Sequence, residues 1–157
     1  MNKLNQTHEF KTQSNLGDRI VAGLVDYIII FAFCFFYVYS FGEPNDEGGY
    51  NVNGLPALVP IFFWGMMTIG FEQWFGATIG NLLVGLKPIS ILKNKYILIN
   101  ENKLTFGQSF KRHLLDPIDM FFFGLVGIVT IKNSDKNQRV GDIWAHTIVV
   151  KKTDVTY

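Results

Sequence analysis

The stretch DRIVAGLVDYIII, residues 18 to 30, decides how this chain is read. A long apolar run opens here, with Arg19 at its mouth and Asp26 about two helical turns inside. From Ile20 to Phe41 no other residue is charged. A bilayer core needs about 20 apolar helical residues to cross it. This run has that length, exceeds the ~7–15 residues of a signal-peptide core, and is followed by no small-x-small cleavage site. It reads as a retained membrane helix. An ionised carboxylate at that depth costs about 3 kcal/mol or more. Asp26 therefore needs a cation, a bound ion, a wet pocket or a proton. Arg19 lies about 10.5 Å away along the helix axis, on nearly the same face, too far for a direct pair. The candidate cations to face Asp26 are Arg19, Arg112 and Arg139.

A second apolar run follows, LPALVPIFFWGMMTIGF at residues 55 to 71, extending to the interfacial aromatic Trp74 or beyond. Between the two lies GEPNDEGGYNVNG, residues 42 to 54, a turn-rich polar loop. Two such runs leave too few polar faces for both to be core helices of a soluble globule. The totals agree. The 157 residues are 48% hydrophobic and 17% charged, with 15 Phe. A soluble domain carries about 25% charged residues. The net charge of +1 gives no argument for nucleic acid. The single cysteine, Cys34, is an apolar filler, and His8, His113 and His146 lack ligand spacing, so no metal or cofactor is expected.

Orientation follows from Lys and Arg. The first loop carries Glu43, Asp46 and Glu47 and no basic residue, whereas Lys87, Lys93, Lys95, Lys103, Lys111 and Arg112 follow the second run. Lys3, Lys11 and Arg19 precede the first. The N-terminus and the middle segment are expected on the cytoplasmic side. A third apolar run, residues 114 to 131, holds Asp116, Pro117, Asp119, Gly124 and Gly127, and its uncharged part is short. A full crossing would put Lys132, Lys136, Arg139, Lys151 and Lys152 outside, so a re-entrant course is favoured over a span. Residues 89 to 104 read as a small hairpin, and HTIVVKKT as a strand. Asp116 before Pro117 reads as a helix N-cap. Gly76 and Gly80 have the small-xxx-small spacing of close helix packing.

The expected fold is mainly α and integral to the membrane. It has two full transmembrane helices, a third apolar helix that is re-entrant or spanning, and short cytoplasmic β segments. Residues 1–13 form an arm, 14–151 the membrane domain and 152–157 a tail. The charged residues at or near membrane depth are Arg19, Asp26, Glu72, Arg112, Asp119, Arg139 and Asp142.

The pattern resembles the RDD family of bacterial membrane proteins, named for one arginine and two aspartates. Arg19 and Asp26 in RIVAGLVD match its first helix. Glu72 and GATIGNLLVGLKPIS match the stretch after its second span, Arg112 in FKRHLLD its basic residue before the third, and RVGDIWAHTIVV its closing pattern. Asp142 is then the second aspartate. Asn81 stands where the family has lysine, Gly141 where histidine often precedes the aspartate, and Trp144 and His146 enlarge a small-residue site. The resemblance implies a multi-pass protein of the bacterial cytoplasmic membrane, N-terminus inside, and membership of a family linked in part to sodium/proton antiport.

Two functions are weighed from these residues. One is a small cation/proton transporter or transporter subunit. In it Asp26 is the central carboxylate, Glu72 and Asp142 are accessory, and monovalent cations and protons are the ligands. The other is a non-catalytic scaffold or partner-binding subunit whose charges form a structural ion-pair network. Partners under either are the bilayer and a second copy or another membrane protein. No nucleophile–base spacing or phosphate loop points to an enzyme.

Overall fold

The computed structural model describes residues 12–91 and 104–154. Helix α1, Leu16–Phe41, takes in the whole first apolar run with four residues before it. The second run is helical from Leu55 to Phe75. It comprises α2, Leu58–Gly65, and α3, Phe71–Phe75, joined by a widened π-turn at Met66–Gly70. There the Thr68 hydroxyl donates to the Trp64 carbonyl at 2.7 Å. Both helices are long and apolar enough to cross a membrane, and both expose large apolar side chains such as Phe31, Phe35, Ile61 and Phe62. They pack through aromatics, with Phe33 stacked on Phe63 at 3.7 Å between ring centres. The acidic loop between them closes as a two-residue ribbon, β1 at Glu43–Pro44 against β2 at Tyr50–Asn51.

Most of the remaining described elements gather into a cap at the end of α1 that carries Arg19. After α3, Gly76 ends the helix in the left-handed region, φ 80°. The short α4, Ile79–Leu83, then packs on α1. Gly80 permits that approach, because a Cβ there would collide with the Ala22 backbone. Of the glycine pair, Gly80 therefore serves close packing and Gly76 serves as a cap. Strand β3, Leu86–Ser90, pairs antiparallel with β4, Thr147–Lys151, in the register Leu86 to Lys151 and Ser90 to Thr147. Ile89, Ile148 and Val150 form its apolar core. The tail is a strand, as expected. The start of the expected local hairpin instead pairs with that tail, and residues 92–103, where its turn would fall, lie outside the described residues.

Helix α5, Phe106–Leu114, opens on a capping box between Thr105 and Gln108. It passes into α6, Asp116–Asp119, and then α7, Phe121–Asn133. The direction turns by 113° between Phe106–Asp119 and Gly124–Asn133. Phe122 at φ 49° and Gly124 at φ 85° lie at that turn. The third apolar segment is thus a bent pair of helices. Helix α8, Val140–Ala145, leads into β4 and packs on α5.

Candidate functional site

Four elements deliver charge to one place inside the cap. Arg19 comes from the first turn of α1, Glu72 from α3, Arg112 and His113 from the end of α5, and Asp142 from α8. Arg112 is the hub, only 1% exposed. Its Nη1 is 2.9 Å from Glu72 Oε2, and its Nε is 3.0 Å from Asp142 Oδ1. Arg19 approaches Asp142 from the other side, with Nη1 3.2 Å from Oδ2. Its Nη2 donates to the Val149 carbonyl at 3.2 Å, which ties α1 to β4.

Arg139 closes the other half. Its Nη1 is 2.9 Å from Asp116 Oδ1, and its Nε is 3.8 Å from both Asp119 Oδ2 and Asp142 Oδ1. His113 joins the halves, with Nδ1 2.8 Å from Asp116 Oδ2 and Nε2 3.4 Å from Glu72 Oε2. Both ring nitrogens face carboxylate oxygens, and an ionised carboxylate can only accept. The arrangement is satisfied with both nitrogens donating, which is the imidazolium form. Three arginines and that imidazolium then balance Glu72, Asp116, Asp119 and Asp142. Buried charge is tolerable only when paired in this way.

The electrostatics of α8 follow the same geometry. Burial pushes the Asp142 carboxyl up, but the guanidiniums of Arg112, Arg139 and Arg19 outweigh it and hold it below its ordinary value. Burial also opposes the Arg139 charge, and the carboxylates of Asp116, Asp142 and Asp119 more than offset that.

Of the seven residues singled out by sequence, Arg19, Glu72, Arg112, Asp119, Arg139 and Asp142 meet in this network. Asp26 does not. The expectation that an arginine faces it is overturned. Asp26 Oδ1 accepts the Gly80 backbone N–H at 2.7 Å. No ion pair to Asp26 occurs among the described residues. The physical reason is the close approach of α4 to α1, which aims the unsatisfied N–H groups of α4's first turn at α1. Asn81, at the family's lysine position, folds back on this turn, its Nδ2 donating to Thr78 Oγ1 at 2.9 Å.

Asp119 plays a similar part for α8. Its Oδ1 and Oδ2 accept the Val140 and Gly141 N–H groups at 3.0 and 3.1 Å. Gly141 allows this, since a Cβ there would strike the Arg112 carbonyl. Asp116 is not an N-cap, because its carboxylate is spent on Arg139, on His113 and on the Tyr27 hydroxyl at 3.1 Å. Sequence reasoning missed His113, Asp116 and Tyr27 as members. The three-residue spacing of His113 and Asp116, beside Arg112, was the signal that could have found the first two. Polar side chains extend the set: Gln73 Nε2 donates to Ser109 Oγ at 2.7 Å, and Gln108 Nε2 to Ser90 Oγ at 2.6 Å. Among the described residues no group of His, Cys, Asp and Glu is arranged to hold a metal ion.

Comparison with known proteins agrees with the residues. No curated protein and no solved structure matches the chain. The model of the RDD family matches residues 14–146, which takes in every member of the buried network. With two helices of membrane-crossing length, a bent third segment and buried arginines and aspartates in that order, this chain belongs to the RDD family of membrane proteins.

Proposed function

We propose that this protein is a non-catalytic membrane scaffold, or the partner-binding subunit of a larger membrane assembly. Its buried charges act as a permanent clamp. The observation that carries this reading is the pairing of opposite charges across the network. Each arginine contacts at least one carboxylate, and Glu72, Asp116, Asp119 and Asp142, each with a cationic or backbone donor, are matched in number by the three arginines and the His113 imidazolium. A transport carboxylate must lose its partner to release a proton or an ion, and Asp26 instead holds the first turn of α4 on α1. The Lys and Arg distribution supports an N-terminus and cap on the cytoplasmic side of a bacterial inner membrane. The occupant of the assembly is a second copy or another membrane protein.

Ion-coupled transport is the second reading, and one observation favours it. The π-turn at Met66–Gly70 immediately precedes α3, which carries Glu72, and such turns gather at functional sites. Two spans do not enclose a pathway, so this reading requires an oligomer. Purified protein in vesicles, under sodium, potassium or lithium gradients with a trapped pH dye, separates the two. The scaffold reading expects no coupled proton movement. Flux that disappears in Glu72→Gln or Asp26→Asn, with both variants folded, overturns it.

A further inference from the structure

Helix α5 is amphipathic in reverse. Its inner face carries Ser109, Arg112 and His113, all buried, and α6 adds the buried Asp116 and Asp119. The outer face carries Phe106, Phe110 and Leu114, all exposed, and Ile118 continues the stripe at the same four-residue spacing on α6. A helix on a water-facing surface shows the opposite order, apolar inward and charged outward. Charges facing inward with large apolar residues outward is the order found where the surroundings are lipid.

Length decides how this segment meets the lipid. Phe106–Asp119 is about 21 Å long as a helix, shorter than the ~30 Å hydrocarbon core. The stripe suits a helix lying along one leaflet rather than crossing it. Side chains mark its boundary with water. Lys111 is exposed at the edge of the stripe, and its ammonium stands 5.5 Å from the ring centre of Trp144, beside the exposed Ile143 on α8. Trp at the headgroup level and Lys extending toward water are the residues that sit at a membrane interface. The stripe also continues the exposed apolar character of α1 and α2.

We infer that the outward face of α5–α6 lies in the leaflet on the cap side, its Phe106–Phe110–Leu114–Ile118 stripe among acyl chains, with Lys111 and Trp144 forming a contact for an acidic phospholipid headgroup. The ammonium supplies donors to the phosphate, and the indole holds the ammonium at headgroup depth. The cap is thereby held on the bilayer at a fixed depth, with the ion-pair network sealed behind it.

Trp144 fluorescence in vesicles tests this, in a protein carrying Trp64→Phe and Trp74→Phe so that Trp144 is the sole indole. Brominated phosphatidylglycerol should quench it more strongly than brominated phosphatidylcholine, and aqueous iodide should quench it little. Lys111→Gln should lower the preference for phosphatidylglycerol by about fivefold, the worth of one lysine near an acidic surface. Equal quenching by the two lipids overturns the headgroup contact. Strong iodide quenching, or shielding from lipid and iodide alike, overturns the membrane contact and assigns the face to water or to a covering protein. Where the double Trp replacement fails to fold, a nitroxide at Phe110→Cys in a Cys34→Ala background gives the same decision. Greater accessibility to oxygen than to a water-soluble nickel complex is expected, and the reverse overturns the proposal.

Discussion

Asp26 Oδ1 accepts the backbone N–H of Gly80 at 2.7 Å, across 54 residues of sequence. The carboxylate at membrane depth is thus a helix-terminus ligand supplied by a neighbouring helix. Asp26→Asn keeps an acceptor oxygen in place and should cost little. Asp26→Leu removes it and leaves the Gly80 N–H unsatisfied, which should cost about 1–3 kcal/mol. Unfolding in detergent micelles, read by far-UV circular dichroism, checks the order of the two variants.

Gly80 itself should tolerate no side chain. A Cβ would meet the Ala22 backbone, which cannot rotate away as a flexible side chain could. Gly80→Ala should destabilise by about 1–3 kcal/mol or force α4 off α1. Gly17→Ala, where nothing lies within 4 Å of the added carbon, is the control on α1. Melting temperatures of the two should separate, with only Gly80→Ala falling.

Arg112 should not be replaceable by lysine. Its Nη1 and Nε reach Glu72 and Asp142 on different elements, and a single ammonium cannot occupy both positions. Removing one partner of a buried pair leaves charge uncompensated, at about 3–5 kcal/mol. Arg112→Lys should therefore behave nearly as badly as Arg112→Gln, measured as the folded fraction recovered from membranes. A Lys variant as stable as wild type would show that the guanidinium fork is not what joins α3, α5 and α8.

Acid should loosen the cap. The folded-state pKa of Asp142 lies below its ordinary value, so its contribution to stability is complete above the usual carboxylate range and is lost as pH falls through the depressed folded value. Arg139, raised above an already high value, stays charged throughout. Melting temperature should hold level down to mildly acidic pH and then fall. Asp142→Asn should flatten part of that fall, at the expense of a lower plateau.

Much of this fold was legible because hydropathy is a local signal. The apolar run at residues 20 to 41 and the strand in HTIVVKKT needed no knowledge of partners. Pairing was not legible, because it joins residues far apart. Arg19 and Asp142 lie 123 positions from one another, and Arg112 and Glu72 40. The charges at depth could be named, but not who faces whom. Asp26 shows the sharper limit. It is held by a backbone N–H, and a backbone donor leaves no trace in residue identity. The pairing of β3 with β4 escaped for a related reason, since Ile89 and Ser90 read equally well as the start of a local hairpin. The reversed amphipathy of α5 was present at four-residue spacing in Phe106, Phe110, Leu114 and Ile118. It means something only once Arg112 and His113 are known to face inward.

On the scaffold reading proposed above, the buried charges are a permanent clamp and hold no exchangeable ion. Its most direct test is the melting temperature of the wild-type protein in sodium, potassium, lithium and choline chloride at equal ionic strength, across neutral to alkaline pH. A ligand present at about 100 times its Kd adds about 2.7 kcal/mol to the folded state, which melting resolves easily. The same curve is expected in all four salts. A melting temperature that rises in one alkali cation, more strongly as pH rises, would contradict it and make the network an ion site.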